Sequence, residues 1–303
     1  MEDDSFALKQ LNSVVIPDSV TVIGNNTFAG NKLTSLNIPN SVFYIGEKAF
    51  LWNQLTEIVI PNSVVFIGDS AFLGNKLTKI TLPADADIKL NAFNVFLFND
   101  YNKNGKQAGT FDITFAKYDD YNIAILNNTY AEIIAYSGSD KEVIIPAVIN
   151  NYPVTAIGYS SFFGMMLTNI KIPDSIAIIA PYAFAGNNLS VVTIPNSITI
   201  IGDDAFRENV ITDVIIPNSV TVIGGSAFTH NQLTSINIPN SVVSIGDNAF
   251  TYYQLTSITI PNSVVSIGHF AFNENKITHV TIPASVTDFG FAVFDPEVEI
   301  TME

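Results

Sequence analysis

The sequence predicts a β-rich α/β solenoid: a coil of short repeats stacked into a parallel sheet, in two arrays joined by a capping helix and antiparallel strands. Three observations carry this expectation. A short apolar strand ending in Ile-Pro or Leu-Pro recurs eleven times in 303 residues. Pro17, Pro39, Pro61 and Pro83 are each 22 residues apart, and Pro173 to Pro283 repeat that step, with Pro146 opening the second series. Phe, Asn and Gly recur in the same frame, so stacking would align each in a column. A fixed period of this length marks units that bury their apolar faces only against their neighbours.

One repeat, Leu33 to Gln54, justifies the elements in order. Leu33-x-x-Leu36-x-Ile38 alternates like a strand with one buried face. Leu36 and Ile38 point inward, and Ser35 and Asn37 outward. Pro39 offers no amide to a ladder and ends the strand. Asn40 and Ser41 form the corner, where short polar side chains bond nearby backbone. Val42 and Ile45 return to the core and Gly46 marks a second bend. Ala49 and Phe50 fill the far end, and Asn53 closes the coil, where its amide can satisfy backbone groups of adjoining coils. Burial of about 1.5–3 kcal/mol per large apolar group offsets chain ordering only when coils stack. The Gly column calls for positive φ or close backbone contact. Ala180 sits in that column, which favours close contact.

The period slips after Pro83, where Ala84-Asp85-Ala86-Asp87 replaces the usual corner. The division expected is a first array over residues 1–90, a capping or bridging insert over 91–142, and a second array over 143–303. Within the insert, Ala92 to Asn104 reads as a short helix capping the first core. Thr110–Lys117, Tyr121–Leu126 and Tyr130–Tyr136 read as antiparallel strands that start the second array. Either the insert is spliced into one continuous solenoid or it hinges two arrays. The apolar surface of Phe111, Ile113, Phe115, Ile123 and Ile125 favours close packing. An excess of five residues after Pro146 fits a turn at Asn150-Asn151-Tyr152-Pro153.

Composition narrows the function. Lys and Arg total 13 against 28 Asp and Glu, a net charge of −15. Such a surface repels phosphate backbones, so no nucleic-acid partner is expected. Prolines and polar residues interrupt every apolar run, so no membrane span is expected. With no cysteine, disulfides and thiol chemistry are excluded. No basic-then-apolar leader is visible at Met1. The chain is read as a fragment or mature form whose upstream sequence has been removed, with a cytosolic protein as the alternative. No catalytic constellation is found, no cofactor is implied, and the chain is not read as an enzyme. Asp100-x-Asn102-x-Asn104-Gly105 mimics a calcium loop but has Phe111 where the bidentate Glu belongs, so no metal site is assigned. Paired carboxylates such as Asp203-Asp204 read as solvated charge.

The unit Leu-Thr-x-Ile-x-Ile-Pro-Asn-Ser-Val-x-x-Ile-Gly-x-x-Ala-Phe resembles the BspA-like class of bacterial leucine-rich repeats, most closely at Leu233–Phe250 and Leu255–Phe272. The resemblance implies a right-handed leucine-rich-repeat coil and a secreted or cell-surface protein mediating adhesion, including to host extracellular-matrix proteins. It supplies no catalytic residues.

Candidate protein-binding residues fall in three groups. Outward strand positions, among them Asn37, Glu57, Lys171, Asp213 and Asn237, line the wall that solenoids most often use; they would serve equally as a solvated face. Between core sites, Tyr44 and Phe66 in one column and Phe43 in the next form an apolar patch near Trp52, with Thr199, Thr221, Ser244 and Ser266 as the expected second-array equivalents. Exposed patches of this kind mark interfaces, and self-association is one use of it. Tyr252 and Tyr253 are a further contact or ordinary turn aromatics. The reading is therefore a protein-binding module of a bacterial surface or secreted adhesion protein, with a structural spacer or display scaffold as the alternative.

Overall fold

A computed structural model describes residues 1–89, 92–93, 101, 105–252 and 254–303. The described elements are strands, mostly two to four residues long. Two compact units are present: Met1–Ala116 with Ala124–Tyr130, and Lys117–Ile123 with Ala131–Glu303.

Each coil has three walls. The strands before Pro form an Ile-Pro wall, those before Gly form an Ile-Gly wall, and the Ala-Phe segment forms a wall of turns. In the first unit the Ile-Gly wall is a parallel ladder of Val22–Ile23, Tyr44–Ile45, Phe66–Ile67 and Asp87–Ile88. Tyr44 pairs with Phe66, but Phe66 pairs with Asp87, one residue short of the period. The slip after Pro83 is thus absorbed at the corner without breaking the ladder. Its Ile-Pro wall pairs Glu57–Val59 with Lys79–Leu82 in parallel. The antiparallel strand Gly109–Tyr118 then pairs with Lys79–Leu82.

In the second unit the Ile-Gly ladder runs in parallel from Tyr130–Tyr136 through Tyr152–Ile157 and on to Asp288–Phe289. Its Ile-Pro wall holds the pairs Glu142–Ile144 with Asn169–Lys171, Val191–Thr193 with Asp213–Ile215, and His279–Ile282 with Glu299–Met302. The extra residues after Pro146 make a hairpin of Val148–Ile149 on Tyr152–Ile157, turning through Asn150 and Asn151 at φ 47° and 68°.

The phenylalanine column is a stacked spine. Phe6, Phe28, Phe50, Phe72 and Phe93 stack at 5.0–5.4 Å in the first unit. Tyr136 heads the second spine at 5.3 Å from Phe162, and the stack continues to Phe294. Such pairs add about 0.5–1.5 kcal/mol to the burial of each ring. The asparagine column bonds as its position requires. Asn53 Oδ1 accepts from Leu33 N at 3.1 Å, and its Nδ2 donates to Phe28 O and Phe50 O at 2.9 and 3.1 Å. Asn187 and Asn209 repeat the pattern. At Met165, which interrupts the column, Lys141 Nζ donates to the Met165 carbonyl at 2.8 Å. Gly46 has no positive φ, but a Cβ there would lie 2.7 Å from Gly24 C; Gly246 would meet Gly224 C at 2.7 Å. Close approach of coils, not backbone handedness, demands glycine here.

Several expectations need correction. The capping helix over Ala92 to Asn104 falls largely outside the described residues, as do the ligand positions of the calcium-like loop. Ala92 and Phe93 lie in a bend, and Phe93 belongs to the spine. The three insert strands do not all start the second array. Residues 109–112 pair antiparallel with Lys79–Leu82 within the first unit; Phe111 and Ile113 are buried, and Phe115 is 48% exposed. Tyr130–Tyr136 does lead into the second array, pairing in parallel with Tyr152–Ile157 as a bulged rung of the Ile-Gly ladder.

Candidate functional site

The Ile-Gly wall arises from the Val-x-x-Ile-Gly spacing. In the second coil Val42 and Ile45 are fully buried, which leaves Phe43 and Tyr44 on the outer surface. Ladder register places Val22, Tyr44 and Phe66 in one row. The Tyr44 and Phe66 rings stack at 4.6 Å with 6° between their planes. Beyond Phe66, Lys89 Nζ lies 5.3 Å from the ring centroid and 3.1 Å from Asp87 Oδ2. The aromatic row therefore ends in a cation held by a carboxylate, a weak surface pair that fixes the side chain more than the fold. In the flanking row Phe43 is 46% and Val65 59% exposed, and Val65 N donates to Phe43 O at 2.9 Å. Tyr44, Phe66 and Phe43 are thus brought together on one rigid face.

The second unit differs, though not as the sequence reading aligned it. Register puts Ile178, Ile200, Val222, Ser244, Ser266 and Asp288 in the row of Tyr44 and Phe66. Thr199 and Thr221 belong instead to the row of Phe43, with Val243 and Val265. The row is aliphatic at one end and polar at the other, so apolar character is not confined to the first unit. The confined feature is the aromatic stack.

Trp52 is not part of that face. It occupies the wall of turns with φ 51° and is 63% exposed, and its indole lies where a side chain on Gly74 would stand. Tyr252 holds the equivalent position with φ 68°, and its ring stacks on His230 at 5.3 Å. Tyr253 lies outside the described residues. Asn37 and Glu57 are exposed on the Ile-Pro wall of the first unit, beside Val59 at 63% exposure. A shallow groove follows the corner there, lined by Asn37, Pro39, Val59, Pro61, Thr81 and Thr110. Lys171, Asp213 and Asn237 are exposed on the corresponding wall of the second unit, spread along it without mutual bonds among the described residues.

Sequence reasoning missed three sets of residues. The residue after the column glycine reaches forward one coil. Asn25 accepts from Glu47 N, Asp247 from His269 N, and His269 Nδ1 from Phe291 N, and Asp3, one coil before Asn25 but after Glu2, accepts from Asn25 N, all at 2.6–2.8 Å. The polar character of that position was the available signal. Tyr101 is fully buried, donating to Pro83 O and accepting from Ala86 N, and so pins the irregular corner; burial pushes its phenol up. Asp204 is buried rather than solvated and pairs with Arg207 at 3.1 Å. Burial first, and Asp204 second, push the adjacent Tyr182 phenol up to about 12. Among the described residues no three His, Asp or Glu side chains gather as a metal site. The site offers rings, methyls and a tethered cation to a surface.

A sequence model described as a BspA-type leucine-rich repeat region matches the chain in six copies over residues 1–98, 134–255 and 223–301. No curated protein matches it. Crystal structures of similar fold include a leucine-rich cell surface protein from Faecalibacterium prausnitzii, 22% identical with TM-score 0.44, covering 62% of this chain and 76% of that one. A leucine-rich repeat protein of T. pallidum is 21% identical with TM-score 0.39, covering 59% and 87%. The pneumococcal vaccine antigen PcpA is 18% identical with TM-score 0.32, covering 95% and 78%.

Proposed function

Because the chain belongs to the BspA-type family of bacterial leucine-rich repeat proteins, we propose that it is the protein-binding module of a secreted or cell-surface protein and adheres to a host or extracellular-matrix protein. The observation that carries this reading is the Tyr44–Phe66 stack with Phe43 and Val65 beside it. Aromatic side chains on a backbone fixed by ladders on both sides give large contact area at little entropic cost. The polar Ile-Pro wall, with Asn37 and Glu57, supplies adaptable contacts around it. The partner is a protein rather than a nucleic acid, given the net charge of −15. Among the described residues no helix is long and apolar enough to cross a membrane.

The test is binding of the purified chain to immobilised extracellular-matrix proteins, compared with the double variant Tyr44→Ser, Phe66→Ser. Loss of anchors of this type weakens binding by roughly tenfold or more. The variant should melt within a few degrees of the parent. Unchanged binding would remove the aromatic face as the site. No binding by the parent to any matrix protein would count for a display scaffold.

A further inference from the structure

We propose that the open edge of strand Glu142–Ile144 in the second unit is a docking groove that takes an extended cationic peptide by strand addition. The strand pairs in parallel with Asn169–Lys171 and, among the described residues, with no other strand. Ile145 N donates to Lys171 O at 3.0 Å, and Asn169 N donates to Lys141 O at 3.2 Å. Odd-numbered residues therefore bond inward to the ladder, and Glu142 and Ile144 turn their N–H and C=O groups to the open side. The Ile144 carbonyl there meets the Tyr121 phenol, which donates at 3.4 Å, a long and displaceable bond.

The edge has a floor and walls as well as backbone groups. Tyr118, Tyr121, Pro146 and Val148 line a groove along it, and Ile144 is 71% exposed. The Tyr118 phenol is fixed by Asn150, whose Nδ2 donates to it at 2.7 Å. Exposed flat edges of this kind pair with other chains unless charge or proline blunts them.

Charge selects the occupant. Asp119 lines the groove and Glu142 is exposed on the strand itself. Asp120 and Asp140 stand close enough to Tyr121 to help raise its phenol, burial being the larger cause. Lys141 is turned away to the Met165 carbonyl, and Lys171, across the ladder from Ile144, is the positive charge on the neighbouring strand. The surplus of carboxylates, on a chain of net charge −15, attracts lysine or arginine and repels acidic segments. The first unit shows the geometry at work: the edge of its own Ile-Pro wall, Lys79–Leu82, takes the extended strand Gly109–Tyr118 in antiparallel register.

The probe is a capped peptide of about eight residues alternating Lys and Val, long enough to span an ordinary strand. It is titrated against the whole chain by fluorescence anisotropy. Saturable binding is expected, weaker by roughly tenfold or more for the matching Glu and Val peptide and lost when alternate peptide nitrogens are methylated. Ile144→Pro removes only an outward N–H, which an edge strand tolerates, and should abolish binding without moving the melting temperature. Glu142→Lys should weaken binding independently, so the inference stands or falls even where the proline variant fails to fold. Equal binding of both peptides would overturn it, as would binding that survives Ile144→Pro in a folded chain. Self-association lost in Ile144→Pro, with no peptide bound, would overturn it in favour of a second copy. Since this groove and the Tyr44–Phe66 face share no residue and belong to different units, its failure leaves the adhesion reading untouched.

Discussion

The two units share an interior and differ in dress. Both stack aromatic rings coil on coil, clamp most coils with an inward asparagine, and bring glycine against the backbone of the coil before. On the outer row of the Ile-Gly wall they part. The first unit carries Tyr44 over Phe66, and the second runs from Ile178 to Ser266 and Asp288. Inside, most positions are constrained by an equivalent neighbour above and below. Outside, only the ladder backbone is shared, and the side chain is free to serve a partner. Recognition is therefore to be sought where the units disagree.

Three measurements test that division, in falling order of effect. Phe50→Ala in the first unit and Phe206→Ala in the second should each cost about 3–5 kcal/mol, as for large cavities in a core. Denaturant melts should show similar losses; a cost near zero in either unit would break the claim of a common interior. Gly46→Ala and Gly246→Ala should each cost about 1–3 kcal/mol by overpacking against the preceding coil, whereas Gly105→Ala, with open space around it but φ 68°, should lose only about 1 kcal/mol from handedness. Thermal melts of the three variants would rank them. The smallest effect is specific to the second unit. Tyr182 is held neutral up to about 12, above the ordinary phenol value of 10.0. A raised folded value means the contribution is intact below pH 10 and is lost as pH climbs from 10 toward 12. Tyr182→Phe should flatten the alkaline limb of the melting-temperature profile, and at neutral pH it should cost about 1 kcal/mol for the hydrogen bond lost to Asp204.

Legibility in the sequence followed the same boundary. The spine, the asparagine clamps and the glycine contacts could be read because each column is dominated by one residue type, with few exceptions such as Tyr136, Met165 and Ala180. The Ile-Gly wall was read only as a return to the core, because strands as short as Val22–Ile23 carry no alternation to detect. Left-handed positions were invisible for the opposite reason. Lys48, Trp52, Ser70 and Tyr182 all adopt φ between 51° and 57°, and no common side chain announces it. Bonds to the next coil impose that conformation, as when Lys48 N donates to Asp69 O at 2.9 Å. Of the candidate site, Tyr44, Phe66 and Phe43 were legible as a cluster because their spacing matches the period. Trp52, read as one turn away from them, turns its indole toward the next coil from a left-handed position, where Gly74 makes room.

The asparagine clamp has a direction. Every group that Asn53 bonds, at Phe28, Leu33 and Phe50, precedes it in the chain, and the same holds for Asn187 with Phe162, Leu167 and Phe184. The asparagine latch to the coil before can thus close as soon as its own asparagine leaves the ribosome, while the turn wall of the same coil waits for the next, as Lys48 waits for Asp69. Growth of the protein and growth of its structure can proceed at the same end, one turn at a time.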